Sequence, residues 1–163
     1  MSDDPIKDAL NMMAYGFYCI TSRHGDERNI MVANWVMQTS FEPRYLTIGL
    51  QRKSFTHKLI QEGKVFAVNM FNKADAEAVK PFTKGRAKNP NKVEEADYTD
   101  GTETGCPILK QAAAYLECQL VDIIDIGGDH DIVVGEVIGA GVIKPGETSD
   151  TLTLPDIGWS YAG

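Results

Sequence analysis

Between residues 17 and 143 the chain is cut into six short runs rich in aromatic and β-branched residues, at 17–21, 30–39, 45–50, 65–70, 114–124 and 132–143. Only two stretches of helical spacing, 54–62 and 75–82, fall among them. That order excludes the regular strand–helix alternation of a doubly wound sheet. Neither a GxGxxG turn after a strand nor a GxxxxGK[ST] loop is present, which removes the dinucleotide and P-loop folds. Gly25-Asp26-Glu27 and Gly127-Gly128-Asp129 read as turns, and Pro43 ends the second run. The run 65–70 is almost continuously apolar and is expected to be buried on both faces. The last run contains Gly135, Gly139 and Gly141, and glycine inside a strand marks a bulge or close backbone approach. The expectation is a mainly β protein: a closed or half-closed antiparallel β-barrel with short helices. An additional amphipathic helix is expected at 6–13, with Ile6, Leu10 and Met13 on one side. Residues 84–110 read as a long loop, a lid or an edge. No repeat or linker divides the chain, so residues 1–163 are expected to form a single domain.

Charge narrows the ligand classes. The net charge is -7, which argues against nucleic acid or an anionic membrane as partner, since both need a basic face. No apolar run is long enough to span a bilayer, and the first residues lack a signal-peptide pattern. Cys19, Cys106 and Cys118 are too few and too scattered for a disulfide framework or a four-cysteine zinc site, so a cytoplasmic location is expected. His24, His57 and His130 show no metal-binding spacing, and no metal is expected. Nine of the sixteen basic residues fall in two acid-free windows, 43–61 and 78–93. Such windows are either solvated faces or the seat of an anion small enough not to demand a basic protein.

The first window has local structure to support an anion site. Ser54 is placed to cap the helix 54–62, leaving N–H groups free in its first turn. A capping box would put Glu or Gln at position 57, but His57 stands there and the first turn holds no acid. Arg52 and Lys53 precede the cap, and the hydroxyls of Ser54 and Thr56 lie within it. A phosphate on the helix N-terminus suits this arrangement. Asn34-Trp35-Val36-Met37-Gln38-Thr39-Ser40 forms a second polar cluster at a strand end, either a simple turn or a surface for a polyol or phosphate.

These residues carry a family resemblance. Asn34-Trp35, then Gln38-Thr39-Ser40-Phe41-Glu42-Pro43, then Ser54-Phe55-Thr56-His57 resemble the flavin reductase-like FMN-binding split-barrel family. Gly105-Cys106-Pro107-Ile108-Leu109, Leu116-Glu117-Cys118, Gly128-Asp129-His130 and Val134-Gly135-Glu136-Val137 continue the resemblance, which runs over about residues 14–143. It points to flavoredoxins and to the flavin reductase domains fused to flavodiiron proteins or rubredoxin. It implies an FMN-binding split barrel of Greek-key antiparallel type, a homodimer with one FMN per subunit, and NADH or NADPH as electron donor. It places Asn34, Trp35, Val36, Met37, Gln38, Thr39 and Ser40 along the isoalloxazine and ribityl chain. Arg52, Lys53, Ser54, Thr56 and His57 then meet the phosphate, with Lys84 as a further contact, and His130 lies beside the flavin or the nicotinamide. The tail from residue 151 matches no motif, and its Trp159 and Tyr161 either cover the flavin or pack.

Three functions follow. The first is an NAD(P)H-dependent flavin or ferric reductase, in which the cofactor performs the redox chemistry and no protein nucleophile is needed. The second is a flavoredoxin-type electron carrier that exchanges electrons with a redox partner protein. The third is a non-redox barrel that binds another phosphate ligand.

Overall fold

The computed structural model describes residues 2–160. Seven antiparallel strands form one sheet: β1 (Tyr18–His24), β2 (Glu27–Ala33), β3 (Val36–Ser40), β4 (Tyr45–Gln51), β5 (Val65–Met70), β8 (Ala114–Ile124) and β9 (His130–Val142). Their spatial order is β2-β1-β5-β8-β9-β4-β3. A short separate hairpin pairs β6 (Tyr98–Asp100) with β7 (Pro107–Leu109). Helix α1 covers Pro5–Leu10 and α2 covers Phe55–Gly63. The antiparallel barrel expected from the strand runs is therefore present, and its sheet is split where β2 and β3 stand at opposite edges.

The interior explains the order. Ile20, Ile48, Ile60, Phe66, Val68, Cys118 and Val133 are buried together inside the sheet. β5 lies between β1 and β8 with its four central residues buried, as its continuous apolar character required. Gly135 permits the packing of Phe66, because a Cβ at position 135 would stand 2.4 Å from the Phe66 ring. A second cluster lies outside the barrel, where Phe17, Phe71, Val79, Phe82, Leu152 and Leu154 pack together. The tail is thus a structural strap: Thr151 bridges Asn72, Thr153 bridges Gly16, and Trp159 meets Phe17 edge-on at 5.8 Å. Tyr161 lies outside the described residues.

Several boundaries differ from the sequence expectation. The run 30–39 is not one strand: it breaks at Asn34-Trp35 into β2 and β3. The break lets the Trp35 indole lie over Gly49, whose amide donates to the Trp35 carbonyl at 2.9 Å. The helix expected over 6–13 ends at Leu10, and none of α1 is buried, so nothing holds a further turn. The stretch expected as a helix at 75–82 is a 3-10 segment, Lys73–Thr83, kinked at Asp75 and containing Pro81, which cannot donate to a helical ladder. The expected loop 84–110 gains β6 and β7, and its 101–105 turn wraps the buried Glu117 carboxylate, which accepts from Thr104 N at 2.9 Å and Thr104 Oγ1 at 2.7 Å.

Candidate functional site

The N-terminus of α2 opens into a cleft of about 360 Å3. Ser54 caps the helix, its Oγ accepting from His57 N at 3.1 Å, and the first turn has no acidic residue. The 84–92 loop closes the opposite side. Arg86 lies 4.3 Å over the Phe55 ring, which fixes the loop against the helix start. Lys84, Arg86 and Lys92 all line the cleft, and no carboxylate does. None of these three cations forms an ion pair among the described residues.

Lys92 is the informative member. It is only 3% exposed, and its ammonium donates to the Lys84 carbonyl at 3.3 Å. A buried cation without a carboxylate is costly. Accordingly, burial and then the charge of Arg86 hold its pKa below the usual lysine value. A bound dianion would relieve both effects. Thr56 and Asn29 form a buried polar wall: Asn29 Nδ2 donates to Thr56 Oγ1 at 2.8 Å, while the other end of the Asn29 amide has no protein partner. Asn34 Nδ2 is likewise buried without a protein partner at the β2–β3 break. These groups fit a ligand that carries a phosphate and further polar atoms.

A second cleft adjoins the first through Gln51, which lines both. Arg52, Lys53, Gly128 and Asp129 also line it; the next residue, His130, begins β9 opposite Gln51, and its ring centroid stands 4.7 Å from that of Trp35. His130 Nδ1 meets Asp129 Oδ1 at 2.7 Å. That hydrogen bond is the main reason the Asp129 carboxyl lies below its usual range, so it stays ionised and keeps the proton on Nδ1. Arg52 and His57 are turned elsewhere. Arg52 Nε donates to Asp131 Oδ1 at 2.9 Å, its other nitrogen pairs with Asp125, and His57 Nε2 meets Asp131 Oδ2 at 2.8 Å.

The predicted residues therefore divide. Ser54, Thr56 and Lys84 line the cationic cleft, whereas Arg52 and Lys53 line the His130 side. His57 is buried against Asp131. Trp35 contacts His130, and Val36 packs on the barrel interior. Met37, Gln38, Thr39 and Ser40 line a separate cleft with Phe41 on β3. Sequence reasoning had placed Arg86 and Lys92 only in a basic window and had passed over Asn29 and Asp131. The signal for Asp131 was its strand phase, since it shares the inward face with Val133 and Gly135.

The fold is an antiparallel split barrel whose cleft at the α2 N-terminus carries three cations and no carboxylate. Residues 10–156 match the family model of the flavin reductase like domain, and the chain belongs to that family of flavin-binding oxidoreductases. It is 31% identical over 141 residues to the high molecular weight rubredoxin of Moorella thermoacetica, covering 85% of this chain and 61% of that protein. It is 29% identical over 143 residues to diflavin flavoprotein A 1 of Synechocystis, covering 87% of this chain and 25% of that protein. The chain thus spans about a quarter of the diflavin flavoproteins it matches. Among solved structures it is similar to flavin reductase HpaC complexed with NADP+, at 28% identity and a TM-score of 0.76, covering 92% of this chain and 96% of that one. It is also similar to the Streptomyces globisporus NADH:FAD oxidoreductase SgcE6 in complex with NAD and FAD fragments, at 26% identity and a TM-score of 0.76, covering 87% and 86%.

Proposed function

We propose that the protein is an FMN-dependent NAD(P)H:flavin or ferric reductase, with the FMN phosphate seated between α2 and the 84–92 loop. The observation that supports this most is Lys92, a buried cation in a cleft that holds three cations and no carboxylate. Three cations with no carboxylate favour a phosphorylated flavin over riboflavin. Bound FMN would supply the redox chemistry, accepting a hydride from NADH or NADPH and passing electrons on.

The chain's own residues bind and orient. Lys84, Arg86 and Lys92 neutralise the phosphate, and Ser54 with the first N–H groups of α2 donates to it. Asn29 holds Thr56 in place and offers its remaining amide atom to the ligand. Trp35 and Asp129 fix His130 from two sides, so that His130 orients the flavin or the nicotinamide without acting as a general acid.

Exposed Val121, Ile126, Ile138 and Val142 on and around the β8–β9 hairpin suit burial in a homodimer, for which light scattering is the test. The three cysteines are buried and unpaired, which suits a reducing cytoplasm. The likeness to the high molecular weight rubredoxin favours one second reading, an electron carrier reduced by a partner protein. Anaerobic mixing of the FMN-loaded protein with NADH or NADPH separates the two. Bleaching of the flavin that slows about tenfold or more in His130→Ala, at unchanged FMN affinity, supports the reductase. A flavin that neither nucleotide bleaches leaves the carrier.

A further inference from the structure

We propose that Asp131 is a positioning residue that locks the phosphate-binding end of α2 to the His130–Trp35 pair. The proposal rests on the assignment of those two places to the phosphate and the redox ring.

Asp131 is 5% exposed, so its carboxylate needs partners. It spends each oxygen on a different residue of the β4–α2 segment. Oδ1 takes Arg52 Nε at the end of β4, at 2.9 Å, and Oδ2 takes His57 Nε2 in α2, at 2.8 Å. His57 is also the residue whose backbone N–H closes the Ser54 cap, so its ring and its amide tie Asp131 to the anion-binding helix end. Arg52 extends the clamp the other way. Its backbone amide donates to the Asp129 carbonyl at 3.2 Å, and its guanidinium also pairs with Asp125. Asp125 in turn accepts from Gly127 N at 2.7 Å. The 125–130 turn that presents Asp129 and His130 is therefore hung on Arg52.

A charge cluster centred on a buried carboxylate is poor value as pure stabilisation, because desolvation of Asp131 offsets much of its attraction. It does fix geometry, since an apolar substitute would let the turn and the helix slide independently. Arg52 follows Gln51, the residue that lines both clefts, so sliding there would separate phosphate from ring.

The test uses Trp35 emission as a reporter of the His130 contact, in a Trp159→Phe background that leaves one tryptophan. Removing the imidazole in His130→Ala raises the emission and calibrates the signal. The proposal predicts that Asp131→Asn raises emission toward the His130→Ala level while far-UV circular dichroism stays native. It further predicts flavin reduction about tenfold slower or more, the range in which misplaced reactants lose rate. Native emission and a native reduction rate in folded Asp131→Asn would overturn it. Should Asp131→Asn not fold, Arg52→Gln cuts the more exposed half of the clamp, and a native Trp35 signal there would overturn the proposal equally. If wild-type protein binds no FMN, the functional assignment fails, while the emission arms still decide whether the clamp positions His130.

Discussion

Replacing Lys92 with methionine is expected to weaken FMN binding and leave the empty protein as stable as before or more so. Methionine keeps the apolar length of the side chain and removes an ammonium that has one carbonyl partner at 3.3 Å and no carboxylate. Because the folded-state pKa of Lys92 is lowered, its contribution to stability is fully present above the unfolded lysine value. It is lost as pH falls through the folded pKa, so at neutral pH the charged group is a cost. Exchanging buried ionic groups for apolar ones of similar volume is neutral or stabilising, here by up to about 1–2 kcal/mol, or a few degrees in Tm. The loss in binding runs the other way. A charge-assisted hydrogen bond to phosphate is worth about 1.5–3 kcal/mol, which is roughly a tenfold to hundredfold rise in the Kd for FMN. Riboflavin, lacking the phosphate, is expected to bind both proteins alike. Thermal unfolding of the apoprotein and flavin fluorescence titrations give both numbers. Equal losses for FMN and riboflavin, or an apoprotein that unfolds well below wild type, would refute the reasoning.

Other outcomes follow from the same geometry. Arg86→Ala is expected to weaken FMN by about tenfold and spare riboflavin, whereas Lys53→Ala, on the far side of Gln51, leaves both unchanged in the same titrations. The affinity for FMN is expected to fall as pH rises above the lowered pKa of Lys92, with proton uptake on binding over that same range, measured by calorimetry in buffers of different ionisation enthalpy. Gly135→Ala forces a Cβ to 2.4 Å from the Phe66 ring and is expected to cost about 1–3 kcal/mol in denaturant unfolding, with the FMN affinity of the folded fraction preserved.

The barrel was legible because its signals are local. Strand runs, turn residues and the missing strand–helix alternation all act over a few residues, and the buried character of β5 is written in its continuous apolar sequence. The anion site was half legible. The acid-free first turn after Ser54 pointed to an anion, the basic window 78–93 read as either a solvated face or an anion seat, and only the fold brings the two face to face. Arg52 looked like a phosphate ligand because its partners, Asp125 and Asp131, lie more than seventy residues away. The β2–β3 break was hidden because the apolar pattern runs on through Asn34-Trp35, and what parts the strands is the seat of the Trp35 ring over Gly49. The tail has no motif, since its role is to bury Leu152 and Leu154 against the outer face of the barrel.

The most direct test of the account is the identity of the chromophore. The protein is purified, denatured, and the released flavin weighed by mass spectrometry, with reconstitution of the apoprotein from FMN, FAD and riboflavin alongside. The account predicts FMN as the released species and tightest binding for FMN. A colourless protein that takes up no FMN, or one that binds riboflavin as tightly as FMN, would contradict it.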